Sequence, residues 1–398
     1  MIRVLFGGPG GIFHLEYCST DIIIYNSCKF CYSKIKTWPP LAAGKELMER
    51  KELLKYVGSM QQEAYIRRVR FEEGRSEGMA GALVKNGPLQ FTVMMDKSLD
   101  IGELSFQGIQ MNFLSKAGFV GHTPYETRGK EAQRSIMGGM FFTCGLENIG
   151  PPCEIQGSEY PMHGRMRTTP GEHLGTDAFW NENGQYEMVL KGEMREAELF
   201  GENLLLRREI RTVYGEPKIQ IKDSIYNEGF REEPYLTLYH FNMGYPLLDE
   251  DCEIILPTRK VIARDEDAAG HEADYWHMGS PVDEKAEEVF FHELAADENG
   301  MTFAAAFNKR LGVGLRIDFS VKEFPYFIQW KSPASGDYAM GLEPANADVR
   351  GRNWYDTNSQ KPPMIGAQEE VKKNLTLTLL KGAEALENLK KEAEELKK

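Results

Sequence analysis

Two histidines and one glutamate stand out in this sequence of 398 residues, because each lies among glycine, proline and aromatic residues. They are His163, His240 and Glu343. A carboxylate and an imidazole can work together as base and acid, since near neutral pH the first accepts a proton and the second can carry one. Such a pair suits proton transfer on a small organic molecule. We therefore take these three residues as the candidate catalytic set.

His240 lies in the segment Leu238–Pro246, which has the residue types of a strand. Successive side chains of a strand point to opposite faces. His240 and Asn242 are therefore predicted on one face, and Tyr239 and Phe241 on the other. A single histidine on a strand is more often a core or surface residue than a catalytic one, so this position alone does not assign a function.

Glu343 precedes Pro344, where an apolar strand is predicted to end and a loop rich in Pro, Asn and Asp to begin. A carboxylate in that place is partly shielded from water, which favours a role as base. Glu343 could instead cap the turn, and His163 could simply form a hydrogen bond within its own loop. Because 180 positions separate His163 from Glu343, their spacing does not predict whether they meet.

Other side chains in the same segments are candidate ligand contacts. The run 138–152 is rich in glycine, which lets a backbone approach a ligand closely. Trp330 lies one short hairpin before Glu343 in the sequence. Its ring could stack on a ligand, although an ordinary tryptophan on an edge strand would show the same pattern. The predicted contacts are Glu147, Asn148, Arg165, Arg167, Asn242, Gln329, Trp330 and Lys331.

The composition excludes several classes of protein. A net charge of −13 opposes binding to nucleic acid, and no stretch approaches the roughly 20 apolar residues of a membrane span. Six scattered cysteines are too few for a disulfide scaffold, and the pair Cys28 and Cys31 lacks the further ligands of a zinc site. We expect a cytoplasmic monomer or homodimer that acts on a small molecule without a metal or cofactor.

The pattern along most of the chain is strand, turn, strand. Asn86-Gly87 between two β-prone runs is a strong hairpin signal, and a second pair of strands surrounds Gly215. Further strands are predicted at 235–241, 288–292, 302–307, 312–319, 326–330, 338–342 and 374–380. Many strands with few helices, and no regular alternation of the two, predict a mainly β fold of packed antiparallel sheets.

Three regions are predicted along the chain. Residues 1–45 show no sustained periodicity, so we expect a disordered extension, or an untranslated one if Met48 is the natural start. Residues 46–382 form the β domain, which begins with a short helix over 46–56. Residues 383–398 form a charged helix whose apolar stripe is thin, which is typical of a solvated terminal helix.

Three motifs, in order, resemble the aldose 1-epimerase (galactose mutarotase) superfamily. They are Pro-Met-His-Gly at 161–164, Tyr-His-Phe-Asn-Met-Gly-Tyr-Pro at 239–246 and Gly-Leu-Glu-Pro at 341–344. Two further runs, 99–102 and 143–152, are similar to an uncharacterised bacterial branch of that superfamily. The resemblance covers about residues 48–382. It implies a β-supersandwich of antiparallel sheets with few short helices and a sugar cleft on one concave face.

The resemblance also implies a role for each member of the candidate set. Glu343 would be the base that takes the proton of the anomeric hydroxyl, His240 the acid that protonates the ring oxygen, and His163 a second donor. The sugar ring would open to the aldehyde and close on the other face. Ordinary mutarotases also grip the sugar with an early arginine and a later aspartate, which we do not assign here. Lys97 stands where the bacterial branch usually has arginine.

Three alternatives remain open. The segment His163-Gly-Arg-Met-Arg167 is similar to His-Gly-x-x-Arg of hexose-6-phosphate epimerases, and Arg350 and Arg352 near Glu343 could add to a phosphate clamp. A sugar-binding or regulatory protein would keep the fold without turnover. An isomerase or lyase for a less common sugar would use the same acid–base pair on a carbon acid.

Overall fold

A computed structural model of the chain describes residues 5–8, 11–18, 21–25, 48–121 and 129–398. The chain divides into two units, Met1–Glu46 and Leu47–Lys398. In the first unit the strands Leu5–Gly8 (β1), Gly11–Cys18 (β2) and Asp21–Tyr25 (β3) form an antiparallel sheet. The prediction for residues 1–45 lies largely outside the described residues, as do Cys28 and Cys31, and it stays a prediction.

The second unit consists mainly of antiparallel strands. Its first strands are β4 (Tyr65–Arg70), β5 (Ala80–Lys85), β6 (Leu89–Met94), β7 (Asp100–Phe106), β8 (Ile109–Gln110), β9 (Phe142–Cys144), β10 (Cys153–Ile155) and β11 (Ser158–Tyr160). The next are β12 (Glu172–Trp180), β13 (Tyr186–Ala197), β14 (Asn203–Val213), β15 (Lys218–Asn227), β16 (Glu233–Pro234), β17 (Leu238–Met243), β18 (Cys252–Ile255) and β19 (Thr258–Ala263).

The remaining strands are β20 (Glu288–Leu294), β21 (Met301–Asn308), β22 (Val313–Ser320), β23 (Tyr326–Ser332), β24 (Ala339–Ala345), β25 (Met364–Ile365) and β26 (Glu370–Lys381). Over the described residues the α-helices are α1 (Arg50–Leu53), α2 (Arg352–Thr357) and α3 (Ala383–Leu396). None of these helices has the length and apolar character needed to span a bilayer. The fold is therefore mainly β, as predicted.

Two large sheets and one smaller sheet form the framework. The eight-stranded sheet has the order β12-β13-β14-β15-β26-β22-β21-β18, the six-stranded sheet has the order β19-β20-β23-β24-β17-β9, and β4 to β8 form a third sheet. Burial alternates along β15, so one face of that strand is apolar and covered. Ile221 and Leu377 of the eight-stranded sheet share a buried core with Phe241 and Leu342 of the six-stranded sheet. The predicted packing of antiparallel sheets is confirmed.

A buried polar network also joins the two large sheets. Arg208 of β14 donates from Nη2 to Asp223 (2.6 Å) and from Nη1 to Asp100 (3.1 Å), and all three side chains are buried. The hydroxyl of Tyr239 donates to the same Asp223. A buried charge is tolerated only when it is paired and hydrogen-bonded, as it is here. Because Tyr239 immediately precedes His240, the network ties the strand of the candidate acid to the opposite sheet.

Two predictions about helices need correction. The first helix, predicted over 46–56, is one turn long, and its side-chain packing depends on Leu53, which joins Val57 and Met60 in a small cluster. The terminal helix α3 lies where predicted but is not simply solvated. Leu386 and Leu389 are 6% and 3% exposed and pack against Phe303 and Phe307 of the eight-stranded sheet. The large phenylalanines on that sheet face need cover, which a thin stripe on the helix can supply.

Candidate active site

The neighbouring strands β17 and β24 bring His240 and Glu343 together. Their register pairs Phe241 with Leu342, which places His240 directly across from Glu343. Nε2 of His240 lies 2.9 Å from Oε1 of Glu343, but the two groups do not have hydrogen-bond alignment. Among the described residues, neither Nδ1 of His240 nor Oε1 of Glu343 has a hydrogen-bond partner, although both atoms are buried. Buried polar atoms are usually satisfied, so this pair has hydrogen-bonding capacity that a ligand can fill.

Glu343 lies inside a strand and not at its end. β24 continues to pair with β23 as far as Ala345, opposite Tyr326, although Pro344 contributes no N–H. The strand was predicted to end at Leu342, and it ends three residues later, at Ala345. The glutamate is 2% exposed, which makes it a buried carboxylate and not a partly shielded one.

Gly341 leaves the space in which the pair sits. A Cβ atom at this position would lie 2.5 Å from Oε1 of Glu343 and 2.7 Å from Cε1 of His240. Both distances are far below van der Waals contact, so any side chain here would displace the carboxylate or the imidazole. The observed geometry of His240 and Glu343 therefore requires glycine at position 341.

His163 reaches the same place from a loop. Its backbone is in the left-handed region (φ 58°), its N–H donates to Gly150 O (2.9 Å), and its carbonyl accepts from the N–H of Gly145 (3.0 Å). Nδ1 of the ring accepts a long hydrogen bond from the N–H of Gly150 (3.3 Å), which places the proton of the neutral ring on Nε2. The ring centroids of His163 and His240 are 6.2 Å apart.

His163 is held in its neutral form. Burial, reinforced by the nearby His240 and Arg167, lowers the pKa of His163 from its ordinary 6.5 to about 3. A neutral imidazole whose Nδ1 already accepts a hydrogen bond can act on a ligand as a donor through Nε2. This is the behaviour of a hydrogen-bond donor and not of a proton-transferring acid.

Aromatic rings surround the pair. The centroid of Trp330 is 5.5 Å from the ring of His240, and that of Phe142 is 6.3 Å away. The indole N–H of Trp330 donates to Glu287 (2.8 Å), which fixes the orientation of the ring. Aromatic faces beside His240 and Glu343 offer an apolar surface on which a ligand could stack.

The two neighbours of Trp330 in the chain point to the other face of the sheet. Gln329 is buried and bonds Nε2 of His292 (3.1 Å), and Lys331 is 4% exposed and donates to Asp274 O (3.1 Å). The period of two along β23 requires this separation. The structure thus brings Trp330 to His240 but does not bring Gln329 or Lys331 there.

Asn242 lies on the strand face that was predicted for it, but its side chain bonds backbone carbonyls. Its Nδ2 donates to the carbonyls of Gly139 (3.0 Å) and His240 (3.2 Å). Tyr239 packs against Phe141 in the core, as expected for the opposite face. Asn242 therefore holds the strand of His240 in place more directly than it can contact a ligand.

The glycine-rich run places two further candidates away from the pair. Glu147 accepts a hydrogen bond from Nη1 of Arg165 (3.0 Å) and lines a separate cavity of about 580 Å³. None of the three candidate catalytic residues lines that cavity. Asn148 donates to the carbonyls of Pro151 (2.9 Å) and Pro161 (3.0 Å) and so shapes the loop.

The remaining arginines are already engaged by protein groups. Arg167 is 2% exposed and donates to Ser135 (3.0 Å), while Arg350 makes a two-point contact with Asp348. Arg352 donates to Glu147 O (3.2 Å) and lies over the ring of Tyr160. The predicted phosphate clamp is therefore not assembled from these side chains beside Glu343.

Several residues at the site or supporting it were given no role from the sequence. Gly341 shares the strand face of Glu343, so the period of two could have identified it as the position that must stay empty. Phe142 and Glu287 approach through the pairing order of the sheet, for which no local signal exists. Arg208 looks like any strand arginine in sequence, and its complete burial emerges only when the sheets pack.

Structural comparison places this fold among known proteins. A crystal structure of a Klebsiella pneumoniae protein, provisionally named an aldose 1-epimerase, has a TM-score of 0.79, 22% identity and coverage of 84% of this chain and 88% of its own. A galactose mutarotase-like protein from Clostridium acetobutylicum has a TM-score of 0.56, 13% identity and coverage of 80% and 99%. At these identities the likeness shows the fold, which confirms the expected galactose mutarotase-like supersandwich.

Sequence comparison gives the family. No curated protein matches this chain significantly. The profile of a family described as "Domain of unknown function (DUF4432)" matches residues 76–379, which span His163, His240 and Glu343. Because this match covers well over half of the sequence, the chain belongs to the DUF4432 family.

Proposed function

We propose that this protein is an aldose 1-epimerase that interconverts the anomers of an unphosphorylated sugar. The observation that carries the proposal is the 2.9 Å approach of His240 to Glu343 beside the ring of Trp330. The name given to the Klebsiella pneumoniae neighbour supports the same reaction class. Exchange of anomers requires only the movement of protons, which this set of side chains can perform.

The reaction follows from the two partners. Glu343 removes the proton of the anomeric hydroxyl, and the electrons of that O–H bond form the carbonyl as the bond between C1 and the ring oxygen breaks. His240, in its protonated form, gives its proton to the departing ring oxygen. Rotation about C1–C2 presents the other carbonyl face, and the reverse transfers close the ring. Each positioned group contributes about 10²–10⁴-fold to the rate.

His163 and Trp330 have supporting roles in this proposal. The neutral His163 donates a hydrogen bond from Nε2 to an oxygen of the sugar, where charge develops as the ring opens. Trp330 stacks on the apolar face of the ring. Gln329 and Lys331 are not part of the proposal, because they lie on the other side of the sheet.

Arginine pairing favours a neutral sugar over a sugar phosphate. A phosphate clamp needs arginines whose donors face the ligand. Arg350 donates to the carboxylate of Asp348. Arg165 donates to the carboxylate of Glu147, and Arg352 donates to the backbone carbonyl of the same residue. A phosphosugar would have to compete with each of these contacts.

Anomer exchange can be measured directly with the purified protein. Magnetisation exchange between the two anomeric protons of candidate sugars, compared in free and 6-phosphorylated form, gives the rate above the spontaneous one. Glu343→Gln should abolish the excess rate, while Glu293→Gln, the same change at an exposed position, should keep it.

The outcomes separate the proposal from its alternatives. Loss of exchange in Glu343→Gln, with thermal stabilisation by the sugar retained, supports it. Sugar-dependent stabilisation without any excess exchange in the natural protein identifies a binding protein. Exchange of the C2 proton with deuterium identifies an isomerase or lyase. Undiminished anomer exchange in Glu343→Gln would rule out the assigned base.

A further inference from the structure

Another cavity, of about 640 Å³, opens at one end of the neighbouring strands β20 and β23. The pairing of these strands ends at Phe291–Ile328, although β20 continues to Leu294 and β23 begins at Tyr326. The two strands therefore separate, and the cavity lies where they part. Its volume is in the range of small-molecule sites.

Part of the cavity wall lies on the same sheet face as the candidate active site. Residues directly opposite each other in antiparallel strands share a face. Ile262 of β19 pairs with Phe291 of β20, and both line the cavity. Phe291 pairs in turn with Ile328 of β23, which pairs with Glu343 of β24. Phe291 is thus two strands away from Glu343, a separation of roughly 10 Å.

Side-chain contacts also connect the cavity with Trp330. Glu287 accepts a hydrogen bond from the indole N–H of Trp330 (2.8 Å) and another from Nη2 of Arg264 (3.1 Å). Arg264 lines the cavity, while the ring of Trp330 lies 5.5 Å from that of His240. A ligand that stacks on Trp330 and extends past its N–H edge is therefore directed toward the cavity.

Apolar and aromatic residues form most of the cavity wall. They make up ten of the fifteen lining residues, and five of the ten are aromatic, so the wall offers several flat surfaces. Ile262 is 39% exposed, and Phe291 and Tyr326 are only partly buried, which leaves them open to a ligand. A mainly apolar wall with a few polar groups is typical of a small-molecule site.

The arginines of the wall are held by carboxylates. Arg264 donates to Asp265 (2.6 Å) as well as to Glu287, and Arg350 makes a two-point contact with Asp348. An ionic ligand would have to displace these partners, and a hydrocarbon would remove the charges from water without bonding them. A neutral ring with apolar faces and hydroxyls at its edge suits both parts of the wall, because it stacks on aromatic side chains and bonds the paired charges.

We propose that this cavity is a second sugar subsite and that the substrate is a reducing disaccharide. The inference rests on the proposed function. The reducing ring lies on Trp330 beside His240 and Glu343, and the second ring lies in the cavity against Ile262 and Phe291. One ring does not cover the roughly 10 Å between Glu343 and Phe291, whereas two linked rings do.

Anomer exchange with paired sugars tests the subsite. The (1→4)-linked disaccharides of glucose, galactose, mannose and xylose are each compared with the free sugar of their reducing end by magnetisation exchange. We expect at least one disaccharide to have a kcat/KM about tenfold or more above that of its reducing sugar. The gain should come mainly from a lower KM, because the second ring adds contacts away from the reacting atoms.

Two variants determine whether the preference arises in this cavity. Phe291→Ala should reduce the ratio of the two kcat/KM values about tenfold, because a stacking surface is lost. Ile262→Ser should reduce the ratio about threefold by removing apolar surface. Because Ile262 is 39% exposed, this variant carries the test if Phe291→Ala does not fold. Val282→Ser, at a position that is 51% exposed outside the cavity, is the matched control and should keep the ratio.

Binding without turnover separates this inference from the proposed reaction. Methyl glycosides of the same sugars cannot open their rings, and titration calorimetry compares each methyl disaccharide with its methyl monosaccharide. Tighter binding of a disaccharide, weakened in Ile262→Ser, supports the subsite even where no sugar shows excess exchange, a result that would refute the proposed reaction alone. Equal affinities and equal kcat/KM values for single and linked rings, or a preference that survives both variants, would overturn the inference.

Discussion

Nε2 of His240 and Oε1 of Glu343 lie 2.9 Å apart, although 103 positions separate the two residues in the chain. Their strands are neighbours in one sheet, and the register between Leu238 and Ala345 sets them face to face. In the proposed reaction, a base and an acid this close would act on two neighbouring oxygens of one sugar, as ring opening requires.

The space beside this pair should be sensitive to a single methyl group. We expect Gly341→Ala to reduce anomer exchange by roughly 10- to 100-fold, because a misplacement of about 1 Å at a reacting group has costs of that order. Gly58→Ala is the matched control, since a Cβ there meets nothing within 4 Å. Exchange measured by NMR, with circular dichroism to verify folding, checks the effect. Full activity in Gly341→Ala would show that the pair tolerates displacement.

Protonation of His163 should lower the stability of the folded protein in acid. Its pKa is about 3 in the folded protein and 6.5 in an unfolded chain, so between these values the unfolded state binds more protons. The free energy of unfolding is thus highest above pH 6.5 and falls as the pH decreases toward 3. His292, with a pKa of about 4 because of burial, acts in the same direction.

Urea unfolding at pH 4.5 and pH 7.5 measures this dependence. His163→Gln should show a smaller loss of stability between the two pH values than the natural protein, because the titrating group is gone. His292→Gln, on the other side of the sheet, should also reduce the loss but leave anomer exchange intact. An unchanged pH dependence in both variants would contradict the assignment.

The buried Arg208 should be essential for stability. Arg208→Met leaves Asp100 and Asp223 without their cation, and breaking a buried ion pair on one side costs about 3–5 kcal/mol. Arg207→Met is a neighbouring control, because Arg207 is exposed and its pair with Glu193 is worth only about 0–1 kcal/mol. Denaturant unfolding of both variants gives the comparison, and equal losses would mean that the buried network is dispensable.

Trp330 should act on sugar binding more than on the chemical step. Trp330→Ala removes the stacking surface and should raise KM about tenfold, since aromatic contacts contribute about 0.5–1.5 kcal/mol beyond their buried area. Trp330→Phe keeps a ring but not the N–H that bonds Glu287, and it should retain most of the affinity. Saturation curves for anomer exchange distinguish the two effects. A fall in kcat with KM unchanged would place Trp330 in the chemical step.

The strands were largely predictable because their signals are local. Alternation along 218–222 and the turn at Asn86-Gly87 follow from residue types within a few positions, and both strand pairs lie where expected. The continuation of β24 through Glu343 to Ala345 was not predictable in the same way. Pro344 is a local signal against a strand, but pairing with β23 on the other side outweighs it.

The sequence by itself determined the strand pattern, the faces of β17, and the identity of three residues in motifs of a known superfamily. Only the tertiary structure decided that His240 meets Glu343, that Gly341 leaves room for them, and that Arg165 and Arg350 face carboxylates. Periodicity reports which way a side chain points from its own strand. The partner it meets depends on sheet order and register, which arise from the packing of the whole chain.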